Sequence, residues 1–406
     1  MEQHFVRDSR GWVSAAGPSS ADYGFWQRYL DAFEEVLVLA RVRTSRADVL
    51  EANRADGPGV VFHDLADYLG PWQYLRCLPI LRQRVREAVE QSDVVILRVP
   101  GAVGRLAWKI ARSEAKPFAV EVVGDPWDVF SPGAARTVVR PLVRRIFARE
   151  LRQMCREAFA VAYVTRGTLQ RRYPPSDGAF VTYFSNVAVE RAVVSRDQLE
   201  ARIAKLRRRW DSGCLRGLPA RVGTVGTLAQ LYKAPDILLR AVAACLAKGL
   251  DMELEFVGDG TYKREMESLA KRLGIADRVR FLGTVPPGQA VYHLLDTWDL
   301  FVLPSRTEGL PRAMIEAMAR GCPCIGSTVG GIPELLPAED LVPPDNAHAL
   351  ARKIREVLSD PQRMERMARR NWEATKDYLP EVLGERRRAF YGKVRDLAAS
   401  AASCEM

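Results

Sequence analysis

PSRTEGLPRAMIEAMARG, residues 304–321, reads as the end of a buried strand, a short loop and the start of a helix. The apolar run DLFVL, 299–303, stops at Pro304. Pro311 suits the first turn of a helix over 311–320, where a missing N–H does no harm. Gly309 lets the backbone approach a ligand closely. The unpaired N–H groups from Leu310 to Ala313, together with the helix dipole, favour an anion. Glu308 cannot partner that anion, but it can accept hydrogen bonds from hydroxyls. Glu316 lies about a turn and a half into the helix, ~7–8 Å along its axis. Two hydroxyl-bearing groups with an anion between them fit this layout, as in a sugar, a diphosphate and a ribose. The plainer reading is a solvated face on which Arg312, Glu316 and Arg320 pair at i, i+4 spacing.

Working outward, short β-branched runs alternate with longer amphipathic segments. Strands are predicted at 35–40, 59–62, 93–98, 117–123, 160–164 and 179–183, with helices near 23–33, 72–91, 102–114, 136–158 and 167–173. Residues 186–220 are charged, end in Gly/Pro punctuation and read as a connector with one polar helix. The alternation then restarts with strands at 221–226, 252–257, 278–282, 299–303, 322–326 and 340–342, and helices near 235–248, 261–273, 287–297, 311–320 and 346–358. Further helices are predicted at 361–376 and 380–399. This order predicts two α/β domains with parallel, doubly wound sheets on either side of a cleft. The expected division is 1–185, a 186–220 connector, 221–376, and a 377–406 helix returning to the first domain.

Ligands of such sheets bind beyond the carboxyl ends of the strands, so the loops there are where chemistry is expected. VGTLAQLYKAPD, 225–236, offers Gly226 for a turn and Lys233 as a point charge for a diphosphate. FVGDGTYK, 256–263, lacks the third glycine of a dinucleotide fingerprint. STVGGIPELL, 327–336, places Gly330 and Gly331 before a short helix. There is no Walker A motif, no D-x-D pair for a sugar-nucleotide metal, no G-x-S-x-G elbow, and the four histidines lack metal-ligand spacing. A site without metal or cofactor, using Lys233 and a helix N-terminus against a diphosphate, is the remaining expectation.

The ordered set VGTLAQLYKAPD, LEFVGDG, RVRFLGTV and DLFVLPSRTEGLPRAMIEAMARGCPCIGSTVGGIPELL, spanning Val225 to Leu336, resembles the donor domain of family-4 retaining glycosyltransferases, which have the GT-B fold. Glu308 and Glu316 match that family's E-x7-E signature. The resemblance implies that Glu308 contacts the transferred sugar, and that the backbone of Gly309, Leu310 and Pro311 lines sugar and diphosphate. It implies that Glu316 holds the ribose, Lys233 the diphosphate, and the Val285 backbone the base. It implies retaining transfer from a UDP- or GDP-sugar without a metal, a diphosphate oxygen taking the acceptor's proton. The chain departs from the family in three places. Thr227 stands where relatives carry an arginine, which leaves Arg306 as the nearest substitute cation. SAAGPSS offers Gly17 alone where relatives have two glycines. Asp125, in EVVGDPWDVF, occupies the region of a familiar histidine, either to bind a hydroxyl or to cap the next turn.

Net charge is +10, spread as 28 basic and 24 acidic groups in residues 1–200 and 32 and 26 in the rest, which argues against a nucleic-acid arm. The local exception is 136–156, with seven arginines and one acid, and with Val139, Val143, Ile146 and Met154 expected on the opposite face. It is either a solvated face or a peripheral contact with anionic lipid. No run of eighteen apolar residues predicts a membrane span. The absence of a leader-like apolar stretch and seven scattered cysteines predict a cytoplasmic protein, at the inner membrane face if the basic segment docks there. The expected acceptor is a glycan, a lipid-linked sugar or a small molecule in cell-envelope or exopolysaccharide synthesis. Competing readings are a GT-B sugar-nucleotide epimerase or hydrolase, which needs acid and base groups at the anomeric carbon, and a dinucleotide-dependent oxidoreductase.

Overall fold

The computed structural model describes residues 2–16, 21–129, 140–185, 187, 189, 192–210 and 218–404. Its two α/β domains face each other across a cleft, as the strand and helix alternation predicts. In the first domain, strands Val95–Val99, Phe118–Val122, Ala160–Tyr163 and Phe180–Tyr183 form a parallel sheet in chain order. All five residues of Phe118–Val122 are buried, so this strand reads as an unbroken apolar run except for Glu121. Beside it, His4–Arg7 lies between Val13–Ala15 and Val36–Thr44, with Val60–Leu65 outermost.

The hairpin of His4–Arg7 and Val13–Ala15 is absent from the sequence prediction. Each strand is three or four residues long and alternates only partly, so neither carries a period that separates it from loop.

The second domain has one parallel sheet of six strands. Its order is Val279–Gly283, Met252–Val257, Ala220–Val225, Leu300–Leu303, Cys324–Ser327 and Leu341–Val342. The chain runs outward from Ala220–Val225 and then returns to lay Leu300–Leu303 on that strand's other side. The switch point therefore lies between the carboxyl ends of these two strands, where a crevice opens. The 225–236 and 304–311 loops both leave from it.

The connector's polar helix, Arg196–Trp210, packs Leu199 and Ile203 against Ala368 and Trp372 of the second domain. The last helix, Pro380–Cys404, instead inserts Leu383, Phe390, Tyr391 and Val394 into the core of the first domain. There the buried Glu121 carboxylate accepts hydrogen bonds from Tyr29 Oη (3.0 Å) and Tyr391 Oη (2.7 Å) and pairs with Arg98. Burial and the Glu121 charge raise the Tyr29 and Tyr391 pKa values. The Arg98 guanidinium is held above its usual range, attraction to Tyr29 and Glu121 outweighing desolvation.

The basic segment forms helix Arg140–Glu157, and its buried stripe is Ala148, Leu151, Met154 and Cys155. Ile146, expected on the apolar face, is exposed together with Leu142, because the stripe that meets the sheet is rotated away from them. Val139 lies outside the described residues. Cys155, Cys245, Cys322 and Cys324 are buried free thiols. Desolvation pushes Cys245 and Cys322 up to about 11, so both remain protonated. Among the described residues no helix is long and apolar enough to cross a membrane.

Candidate functional site

The site is assembled where the two loops at the switch point meet. Lys233, in the short turn Leu231–Lys233, extends its Nζ to 2.5 Å from Glu308 Oε1. Ser305 Oγ donates to the same oxygen at 2.7 Å, and Ser327 Oγ donates to the Ser305 carbonyl at 2.6 Å. Glu308 is only 8% exposed, so this carboxylate and Lys233 hold each other in a largely dry setting. Two loops with glycines lie closely against neighbouring backbone. Gly330 has φ +53°, and a Cβ there would sit 1.7 Å from the Glu308 carbonyl oxygen. Gly258 has φ +143°, and a Cβ there would strike the Gly226 carbonyl oxygen. Any side chain at either position would push out one of the two site loops.

Helix Arg312–Ala319 starts beside Glu308. Pro311 is its N-cap with φ −75° and ψ 110°, one position earlier than the first-turn place expected, and no side chain caps the helix. The leading N–H groups of Arg312 and Ala313 thus have no helical acceptor and lie at the positive end of the helix dipole. Gly309 faces the first domain: a Cβ there would lie 3.7 Å from the Val123 carbonyl. Leu310 and Val285 are partly buried against the apolar cluster around Phe301 and Met314. Thr227 is half-buried and its Oγ accepts from Ala229 N at 3.0 Å.

Glu316 is buried, and Arg312 Nε donates to its Oε1 at 2.9 Å. Arg320 pairs with Asp296 instead. The i, i+4 ion pair therefore exists on one side only, and it holds a carboxylate that is 6% exposed, which a solvated helix face does not explain.

Arg306 is fully engaged within the protein. Its guanidinium bonds both oxygens of Asp236 at 2.9 and 2.8 Å, Asp345 at 2.6 Å and the Leu231 carbonyl at 2.6 Å. Its backbone N–H donates to the Tyr232 carbonyl. Bonding to Asp236 raises its pKa. In this arrangement Arg306 ties the Lys233 loop to the Glu308 loop rather than presenting a charge to the crevice. Asp125 is buried as well; it accepts from Trp127 N at 2.8 Å and Tyr173 Oη at 2.5 Å and pairs with Arg172. It caps the turn that follows its strand. Gly17 lies outside the described residues.

Two contributors escaped the sequence reading. The Glu334 carboxylate crosses the cleft and accepts from the backbone N–H groups of Arg166, Gly167 (3.0 Å) and Thr168 (2.5 Å) in the first domain. The segment STVGGIPELL draws attention to its glycines, whereas its acid becomes meaningful only once the 165–168 loop is placed opposite. Ser305 also escaped notice, although it sits in the opening motif. Among the described residues no group of three or more His, Cys, Asp or Glu is placed to hold a metal ion.

Residues 219–373 match the family model of glycosyl transferases group 1. Protein CapJ of Staphylococcus aureus is 27% identical over 343 residues, covering 84% of this chain and 82% of CapJ. The putative colanic acid biosynthesis glycosyltransferase WcaL of Salmonella typhimurium is 32% identical over 149 residues, covering 34% of this chain and 36% of WcaL. Among solved structures, HepE of Anabaena in complex with UDP and glucose superposes with a TM-score of 0.59 at 19% identity, over 99% of this chain and 100% of HepE. The fold is GT-B.

Proposed function

We propose that this glycosyltransferase, whose second domain matches the group 1 family, moves a sugar from a UDP- or GDP-sugar to a hydroxyl acceptor with retention at the anomeric carbon and without a metal. The observation that carries the proposal is the Lys233–Glu308 contact at the head of an uncapped helix, at the switch point of a parallel sheet. A cation and free N–H groups converge where a diphosphate would gain negative charge as the anomeric bond breaks. A diphosphate entering there draws Lys233 toward itself, and Glu308 is then released to accept hydroxyls of the sugar. A diphosphate oxygen on the same face takes the acceptor's proton. Glu316 grips the ribose hydroxyls, and the Val285 backbone lies near the base. Arg306, bound to Asp236 and Asp345, positions Lys233 instead of contacting phosphate. The name of WcaL, a colanic acid biosynthesis glycosyltransferase, supports a glycan acceptor in cell-envelope or exopolysaccharide assembly, and the proposal places the enzyme in the cytoplasm.

The first test is ligand choice. A nucleotide at a hundred times its dissociation constant stabilises by about 2.7 kcal/mol. UDP or GDP is therefore expected to raise the midpoint by roughly 5–10 °C for a domain of this size, and NAD by nothing. A rise with NAD alone would replace the transferase by an oxidoreductase. A panel of sugar nucleotides then separates transfer from epimerisation, because an epimerase interconverts donors with no acceptor present.

The second test separates the two glutamates. The ribose does not change during reaction, so Glu316→Ala is expected to raise donor KM and weaken free-nucleotide binding about tenfold or more. The sugar ring distorts and charges, so Glu308→Ala is expected to lower kcat about tenfold or more while free nucleotide still binds. If Glu316 serves only its pair with Arg312, Glu316→Ala loses under about 1 kcal/mol of stability and keeps wild-type kinetics.

A further inference from the structure

Several of the large apolar residues that the described chain leaves in solvent cluster on one face of the first domain. Helix Gly70–Gln91 buries Leu81, Val85, Ala88 and Val89 against the sheet. Its first three turns present the opposite face to water, with Trp72 at 78%, Leu75 at 56% and Ile80 at 58% exposure, and Leu69 just before the helix at 69%. Spacing of three to five residues puts Trp72, Leu75 and Ile80 on one side of the helix, with Arg76 among them. The start of helix Arg140–Glu157 adds exposed Leu142 and Ile146. Helix Ala102–Ser113 packs against helix Gly70–Gln91 and carries Arg105, which sits over the Phe147 ring at 5.4 Å and bonds Glu150 Oε1 at 2.8 Å on the other helix. The two apolar ends thus belong to one surface.

The charge of that surface selects its occupant. Residues 69–86 carry Arg76, Arg82, Arg84 and Arg86, of which Arg84 pairs with Glu87 at 2.9 Å and Arg86 with Glu114 at 3.3 Å, and residues 140–149 carry four arginines before the single acid Glu150. A second copy packed by a two-fold axis would set these arginines against each other, which disfavours self-association. An anionic bilayer surface satisfies both features, because tryptophan and aliphatic side chains enter the headgroup boundary while arginines meet lipid phosphates. We propose that the face formed by the first turns of helix Gly70–Gln91 and the start of helix Arg140–Glu157 docks on an anionic lipid bilayer.

The placement is also informative. Helix Gly70–Gln91 follows the carboxyl end of strand Val60–Leu65, and the other helix follows the segment after Phe118–Val122. Both apolar ends therefore sit at the edge of the first domain from which Val123 meets Gly309. Docking there brings the mouth of the cleft to the membrane surface. The proposal stands independently of the transferase reading, since it concerns binding alone.

The test is sedimentation of the full chain with phosphatidylcholine vesicles, with and without phosphatidylglycerol. Wild type is expected to bind the anionic vesicles and to leave the neutral ones largely unbound. Trp72→Ser/Leu75→Ser/Ile80→Ser is expected to lose about tenfold or more in vesicle affinity, through the lost apolar burial. Arg76→Gln/Arg82→Gln is expected to lose about fivefold per arginine, less at high salt. Both variants should keep the circular dichroism spectrum and cooperative melting of wild type, which shows that each is folded. Failure of wild type to sediment with anionic vesicles, or equal binding by the triple variant, overturns the proposal. So does a concentration-dependent dimer that the triple variant abolishes without any vesicle binding, which would assign the face to a second copy.

Discussion

Lys233→Met is expected to lower kcat by about a hundred- to a thousandfold, the loss seen when one preorganised donor to a developing anion is removed. The lysine stands at the crevice on a loop fastened by Arg306, and Gly226 leaves its aliphatic stem room to pass. A rival role is neutralisation of Glu308, since the two are in direct contact. The double variant Lys233→Met/Glu308→Gln distinguishes them. If Lys233 only balances Glu308, removing both charges restores nucleotide affinity. If Lys233 binds the diphosphate, affinity for free UDP or GDP stays low in both variants. The wild-type rate is expected to survive EDTA in the same assay. Loss on chelation, restored by Mg²⁺ or Mn²⁺, would mean that a metal takes the charge assigned here to Lys233 and the helix N-terminus.

Glu121→Ala is expected to have the largest effect on stability. The substitution strands the Arg98 guanidinium and removes the acceptor shared by two buried tyrosine hydroxyls. Breaking a buried pair by deleting one partner costs about 3–5 kcal/mol. At roughly 2–4 °C per kcal/mol for a domain of this size, the first domain should melt about 6–20 °C lower. Tyr391→Phe, which removes one hydrogen bond, should cost only about 1 kcal/mol. Calorimetry on both variants with UDP present checks this, because the second domain, where the proposed function places the nucleotide, should retain its ligand-induced shift. A loss under about 1 kcal/mol in Glu121→Ala would show that water replaces the carboxylate and that the cluster does not hold the last helix.

Most of the architecture could be read from the chain because parallel strands are buried on both faces. Leu300–Leu303 and Cys324–Ser327 are entirely buried and stand out from amphipathic neighbours. The His4–Arg7 hairpin did not stand out, being too short to show a period. In the site, residue type and spacing picked out Lys233 and Glu308, yet their contact spans 75 positions and follows from sheet order alone. Spacing could not show that Arg306 is already claimed by Asp236 and Asp345. Nor could it decide between two uses of Asp125, which burial beside Tyr173 and Arg172 resolves toward capping. Glu334 was unreadable for the same reason, as its partners belong to the other domain.

The return of helix Pro380–Cys404 to the first domain bears on how such an enzyme can be recombined. A chimera made at a single junction near the connector would graft a foreign Glu121 and Phe184 onto a resident Tyr391 and Phe390, although these side chains are fitted to each other. Exchange of the first domain between homologues therefore calls for two cuts, with the carboxyl-terminal helix travelling alongside the amino-terminal segment. Gene shuffling at one crossover should yield insoluble protein far more often than the two-piece transplant does.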